Sequence, residues 1–254
     1  MVSDLKEVSI LITGGGSGIG KGTALYLAKK GCKVTICGRT EKNLLETSTE
    51  IGTLCNYIVG DITNKKDRKE IISSAVHHGN GLDVLVNNAG NMYRTPLENL
   101  EEEVLIKIFN SNVISAMMLS SETVSYLKKS KGSIIFISSV HTKRAFSGAS
   151  PYAATKGAIE ILTKVLASEL GPAGVRVNCV SPGAVPSLIN KRAGILTEEQ
   201  IEKRHKFLAS EHRLGRIGTA KEVAEAIEYL ICAQWTTGAI LDVDGGLGLG
   251  ALKD

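Results

Sequence analysis

Thr13-Gly14-Gly15-Gly16-Ser17-Gly18-Ile19-Gly20 is the stretch that decides the reading of this 254-residue chain. Ahead of it, Val8-Ser9-Ile10-Leu11-Ile12 is apolar and β-branched and predicts a strand. Behind it, residues 21–30 repeat apolar side chains at helical steps (Ala24, Leu25, Leu27, Ala28). The glycines therefore sit where a strand turns into a helix, which is the context a dinucleotide-binding turn requires. Glycine permits positive φ and leaves room for a pyrophosphate to approach. A helix starting near Ile19 offers unpaired N–H groups and the positive end of its dipole. An anion site follows from that geometry.

The surrounding chain fits one domain, residues 1–254, because its apolar residues are spread evenly and leave no second core to separate. A net charge of +4 comes from 30 basic and 26 acidic residues of mixed sign, with no stripe suited to nucleic acid. The five cysteines (Cys32, Cys37, Cys55, Cys179, Cys232) form no C-x-x-C, so neither a metal site nor a disulfide framework is expected, and they read as buried reduced thiols. About seven residues precede the first strand, and no uninterrupted apolar run reaches the roughly 18 to 20 residues of a membrane span. The expectation is a cytoplasmic enzyme, and Leu252-Lys253-Asp254 is no peroxisomal address.

Outward from the glycine turn, strand and helix patterns alternate. Strands are predicted at 33–37, 55–59, 82–86, 133–137, 175–180 and 239–243, and helices at 41–51, 65–78, 101–129, 152–170 and 221–232. This alternation predicts an α/β fold: a Rossmann-type, doubly wound parallel sheet of about seven strands with helices on both faces. The site then belongs at the carboxyl ends of the strands.

Two features carry chemistry. The second strand ends in Gly38-Arg39, where a carboxylate would hold a ribose 2′-hydroxyl and an arginine instead favours a 2′-phosphate. No carboxylate follows until Glu41, so NADP is favoured over NAD. Farther on, Tyr152-Ala153-Ala154-Thr155-Lys156 puts a phenol and an ammonium on one helix face. A nearby cation is expected to lower the phenol from its reference near 10 toward acid/base work.

The chain resembles the short-chain dehydrogenase/reductase family in its shorter, single-domain form. The likeness rests on Thr-Gly-x-x-x-Gly-x-Gly at Gly14, Gly18 and Gly20, on Asn87-Asn88-Ala89-Gly90 after the fourth strand, and on Ser139 thirteen residues before Tyr152 in Tyr-x-x-x-Lys. It implies a catalytic set of Asn112, Ser139, Tyr152 and Lys156. It also implies cofactor contacts from Gly14, Ser17, Gly18, Ile19, Gly20, Arg39, Asp61, Ile62, Asn88, Ala89, Gly90, Tyr152, Lys156, Pro182, Gly183, Val185 and Ser187. Asp61 would bond the adenine amino group, a role compatible with capping the next helix. Asn112 would position a relay water; its other reading is a helix asparagine bonding its own backbone and bending the helix, a bend that would free its carbonyl for that water. Ser187 stands where the family carries Thr, keeping the hydroxyl and losing a methyl.

The resemblance further implies a mobile substrate-covering segment at about 188–213 and a two-fold pairing of the helices at 104–128 and 152–170, hence a homotetramer or dimer. The run Ile231-Cys232-Ala233-Gln234-Trp235-Thr236 is shorter than usual and predicts a tightened turn. Arg94, Lys143, Arg144, Lys191 and Arg192 form an expected basic rim that would steer an anionic substrate; the alternative is solvated loop charges around a neutral ketone or sugar. The expected activity is NADP(H)-dependent interconversion of a small secondary alcohol and a ketone. A cofactor-retaining epimerase or dehydratase and a non-catalytic nucleotide-sensing scaffold are the alternatives.

Overall fold

The computed structural model describes residues 5–186 and 197–250. Seven strands form one sheet: β1 (Ser9–Thr13), β2 (Lys33–Gly38), β3 (Cys55–Val59), β4 (Val84–Asn87), β5 (Ser133–Ile137), β6 (Arg176–Pro182) and β7 (Ile240–Val243). Their order is β3-β2-β1-β4-β5-β6-β7 and every pairing is parallel. The order reverses direction between β1 and β4, and at such a switch point the connecting segments diverge to opposite faces and leave a crevice at the carboxyl ends.

The helices between the strands are α1 (Gly18–Lys29), α2 (Glu41–Ile51), α3 (Lys65–Gly79), α4 (Glu102–Phe109), α5 (Ser115–Ser130), α6 (Ser150–Leu170), α7 (Glu198–Glu211) and α8 (Ala220–Cys232). Successive strand residues point to opposite faces, so an unbroken apolar strand must be covered on both. Ile10, Ile12, Val34, Ile36 and Val86 pack against Ala24 and Leu27 of α1 and Val223 and Ile227 of α8. Leu11, Leu85, Ile134 and Phe136 face the other way, against Ile71 of α3, Leu119 of α5 and Ile159 of α6.

Several local expectations are corrected. The helix expected over 101–129 is two helices, α4 and α5, joined by a five-residue π turn, Asn110–Ile114. The run Glu102–Ser130 is long and apolar enough by length and composition to cross a membrane. Its inner face is packed on the sheet through Ala116, Leu119 and Leu127, and the buried helix of a folded domain meets the same test. The cap of α3 is Asn64, whose Oδ1 accepts the Lys66 and Asp67 N–H groups at 2.8 and 3.4 Å, and not Asp61. Cys32, Cys37 and Cys179 are buried free thiols, whereas Cys55 and Cys232 are only partly buried. After α8 the chain turns through Gln234 and a fully exposed Trp235, and Arg176 closes the helix by donating to the Leu230, Ile231 and Ala233 carbonyls at 2.5, 2.7 and 3.2 Å.

Candidate active site

The carboxyl ends of β1, β4, β5 and β6 open onto one cleft. Gly14, Ser17, Gly18, Ile19, Asn88, Ala89, Gly90, Ser139, Tyr152, Lys156, Pro182, Gly183 and Val185 line it. A second recess, sharing Gly14, Ala89 and Gly90, runs over the ends of β2 and β3 and adds Arg39, Asp61 and Ile62. The residues expected at a cofactor thus fall into two adjoining halves. Gly20 lines neither: a Cβ there would sit 2.4 Å from the Gly14 carbonyl oxygen, so its place is close packing beneath the turn. Ser187, Lys191 and Arg192 lie outside the described residues, as does the first part of the expected covering segment.

The turn fits an anionic dinucleotide. Gly14 has φ +69°, and a Cβ on it would lie 3.0 Å from Asn88 Nδ2, so a side chain would be both strained and obstructed. Ser17 is the N-cap of α1, and no acidic residue stands in the helix's first turn to compete with a phosphate for its N–H groups. The turn is held by β4: Thr13 Oγ1 accepts the Asn88 and Ala89 backbone N–H groups at 3.0 and 2.9 Å, and Asn88 Nδ2 donates to the Thr13 carbonyl at 2.7 Å. Arg39 stands over the far recess, 62% exposed, with Nη1 3.7 Å from Asp61 Oδ2. Asp61 also accepts from the Thr63 N–H and hydroxyl at 2.9 and 2.8 Å.

In the other half, Ser139 leaves β5 in extended backbone at the start of a short 3-10 turn, and α6 presents Tyr152 and Lys156 one turn apart. Both side chains are buried, 7% and 5% exposed. Lys156 Nζ donates to the Ile137 carbonyl at 2.7 Å and lies 5.5 Å from the Tyr152 ring centroid. Burial pushes the phenol up to about 12, opposed by the Ser139 hydrogen bond and the charge of Arg94, and burial pulls the ammonium down to about 8. The expectation that Lys156 draws the phenol down is therefore not met in this arrangement. The lysine is itself disfavoured as a cation, and the charge that acts on the phenol belongs to Arg94.

Asn112, 2% exposed, sits in the π turn and does not bond its own backbone. Its Oδ1 accepts the Asn91 N–H at 2.7 Å, and its Nδ2 donates to the Asn91 carbonyl at 2.9 Å and to Thr155 Oγ1 at 3.1 Å. Thr155 in turn donates to the Tyr152 carbonyl at 2.7 Å. The asparagine therefore ties the loop after β4 to the helix carrying the phenol, from within the wide π turn.

The site also contains residues absent from the sequence expectations. His141 contacts Ser139 at 3.0 Å and Arg94 at 3.1 Å, and its ring stands 4.4 Å from Phe146 and edge-on to Tyr152 at 5.1 Å. Glu160 accepts from Ser138 at 2.9 Å and Thr142 at 2.7 Å, bracing both sides of Ser139. His212 donates from Nδ1 to the Leu208 carbonyl and accepts the Ala184 N–H at 3.3 Å, which steadies the backbone after Pro182-Gly183. The position of His141 two residues past a serine at a strand end was the one sequence signal available for it. The basic rim is also smaller than expected: Lys143 is paired with Asp242 and Arg144 with Glu211, leaving Arg94 as the described rim cation that lines the cleft.

The family model described as enoyl-(acyl carrier protein) reductase matches residues 14–248. A glucose 1-dehydrogenase of Gluconobacter oxydans is 35% identical over 251 residues, covering 94% of this chain and 91% of that protein. An L-fucose dehydrogenase of Bos taurus is 35% identical over 247 residues, covering 95% and 89%. Among solved structures, a 3-ketoacyl-(acyl-carrier-protein) reductase from Brucella melitensis complexed with NADH superposes with a TM-score of 0.89 at 30% identity, over 96% of this chain and 100% of that one. Fold, cleft and relatives agree, and the chain belongs to the short-chain dehydrogenase/reductase family of oxidoreductases.

Proposed function

We propose that the chain interconverts a secondary alcohol and a ketone by hydride transfer, with NADP(H) as its cofactor. The observation that carries this reading is the convergence of Ser139, Tyr152 and Lys156 on the same cleft as the glycine turn. The dinucleotide, when bound, supplies or accepts the hydride. Gly14, Ser17, Gly18 and Ile19 would hold its phosphates, Asp61 and Ile62 its adenine, Asn88 to Gly90 the adenosine side, and Pro182, Gly183, Val185 and Ser187 its carboxamide.

Tyr152 is the acid/base. A phenol held near 12 keeps its proton at neutral pH and can give it to a carbonyl oxygen. In the oxidative direction the Ser139 hydrogen bond and the charge of Arg94 oppose the burial that holds the proton on. Ser139 orients the substrate oxygen, Lys156 holds the ribose hydroxyls, and the Asn112 turn positions the relay water. The preference for NADP rests on Arg39, whose exposed pairing with Asp61 at 3.7 Å is weak enough to yield to a phosphate.

The chain acts as a homo-oligomer in the cytoplasm. Support for association comes from exposed Ile106, Met117 and Met118 on the α4–α5 pair and Ile161 and Val165 on α6; the free thiols fit a reducing compartment. The test follows loss of nicotinamide absorbance with NADPH, and separately NADH, against a panel of sugars, acyl ketones and simple ketones. Turnover with at least one carbonyl and a higher kcat/KM for NADPH is expected. A panel without turnover removes the proposed activity, and a preference for NADH removes the role of Arg39.

A further inference from the structure

Arg94, from the loop after β4, meets Ser139 and His141, two residues apart after β5, in the wall of the cleft. His141 Nδ1 lies 3.0 Å from Ser139 Oγ, and His141 Nε2 lies 3.1 Å from Arg94 Nη2. A guanidinium stays protonated and only donates, so the second contact requires a lone pair on Nε2. The imidazole is then neutral with its proton on Nδ1, and that proton is donated to Ser139 Oγ. The His141 backbone N–H reaches the same oxygen at 3.4 Å. A hydroxyl has two acceptor positions and one proton. With both acceptor positions taken from behind, the Ser139 proton is directed forward into the cleft beside Tyr152.

We propose that Arg94 and His141 are positioning residues that make Ser139 a one-way donor to the substrate oxygen, Arg94 acting by selecting the imidazole tautomer. The assignment rests on the reading of Ser139 given above and deepens it. The ring is packed between Phe146, tilted by 35° at 4.4 Å, and Tyr152, perpendicular at 5.1 Å. Among the described residues that face it, Arg94 comes from the loop after β4 and Tyr152 from α6, and Lys156 and His205 line the same cleft. On its own turn, Lys143 and Arg144 are engaged by Asp242 and Glu211. A second proton on the imidazole would face the Arg94 charge and break the Nε2 contact.

Imidazole 15N spectra of the whole protein test the tautomer without requiring turnover, with the His141 signals assigned by their loss in His141→Asn. In wild type the Nδ1–H form is expected to persist as pH falls from about 8 to about 6. In Arg94→Met the ring is expected to protonate through the ordinary range near 6.5, and Arg94→Lys, still only a donor, keeps the wild-type pattern. An Nε2–H ring in wild type, or spectra unchanged in Arg94→Met, overturns the assignment. Kinetics supply the second readout: His141→Phe is expected to lower kcat at least tenfold with little change in KM for NADPH, and His141→Asn, whose amide can donate from near the Nδ1 position, to recover most of it. If Asn rescues no better than Phe, the ring acts by packing and the positioning role is lost. The spectra fail only if the tautomer is wrong, whereas an inactive protein with the Nδ1–H ring would overturn both the proposed reaction and the positioning role that rests on it.

Discussion

Replacing Lys156 by Met tests the buried cation through stability rather than turnover. Lys156 is 5% exposed, and burial brings its ammonium from 10.5 to about 8. The sign follows from linkage. Below about pH 8 both folded and unfolded chains hold the proton, and the folded chain bears the whole penalty of a buried charge. At 1.36 kcal/mol for each pH step, the interval from 10.5 to about 8 corresponds to about 3 kcal/mol. Between about pH 8 and 10.5 only the unfolded chain holds the proton, so wild-type stability is regained as pH rises. Integrated from about pH 7 to about pH 9.5, the gain is about 2 kcal/mol. Lys156→Met lacks this contribution. It also leaves the Ile137 carbonyl without its donor, but that loss is nearly independent of pH and cancels in the slope. Urea unfolding of both proteins at three pH values under reducing conditions measures the difference. The wild type should gain about 2 kcal/mol relative to the variant across that range, and a difference constant to within about 0.5 kcal/mol would refute the reasoning, since extrapolation error is of that order.

Tyr152→Phe should lower turnover by about 10² to 10⁴ while leaving NADPH binding nearly intact, because the ring still packs and only the transferable proton is gone; retention of more than about a tenth of wild-type kcat would remove Tyr152 from its role. Gly38→Asp with Arg39→Ala should move the ratio of kcat/KM values toward NADH, and an unchanged ratio would mean that Ser17 or Lys42 holds the phosphate. Light scattering at micromolar concentration should give a dimeric or tetrameric mass, and Ile161→Glu with Met117→Glu should reduce it; a monomeric wild type would contradict the reading of the exposed apolar helix faces. Because Lys143 and Arg144 are already paired, raising salt from about 0.02 to about 0.5 M should reduce kcat/KM for an anionic and a neutral ketone in parallel; a selective loss for the anion would restore the basic rim.

The parts of the fold legible in the sequence are those whose burial alone dictates their pattern. Strand β5 begins and ends where predicted because it is buried from end to end, and β3 keeps its predicted bounds as a half-buried strand at the edge of the sheet. The π turn was not legible. It inserts no Gly or Pro, and Phe109, Val113, Ala116 and Leu119 follow one another at four- and three-residue steps through it. What holds the turn open is Asn112 paired with the Asn91 backbone, 21 residues earlier. Such a contact leaves no periodicity to read. β4 was placed two residues early for a related reason: Leu82 and Asp83 carry the strand pattern, but the Asp83 carboxylate accepts the Ser9 N–H at 2.8 Å and serves to dock the entry to β1.

At the site, spacing shows which side chains share a face and leaves open where their charged ends go. Tyr152 and Lys156 are one turn apart, as the motif requires, yet one N–H of the Lys156 ammonium is donated to the Ile137 carbonyl at the end of β5. That bond cannot be inferred from α6 alone, because it depends on the register of α6 against a strand thirteen residues before it begins. Arg94 was visible in the sequence as a positive charge and nothing more; its partner is 47 residues away. Charge is a property of a residue, but tautomer and donor direction are properties of a contact. The acid/base chemistry of this cleft is set by contacts of that kind: by the carbonyl that takes the lysine, the guanidinium that takes the imidazole lone pair, and the imidazole that turns the serine proton toward the substrate.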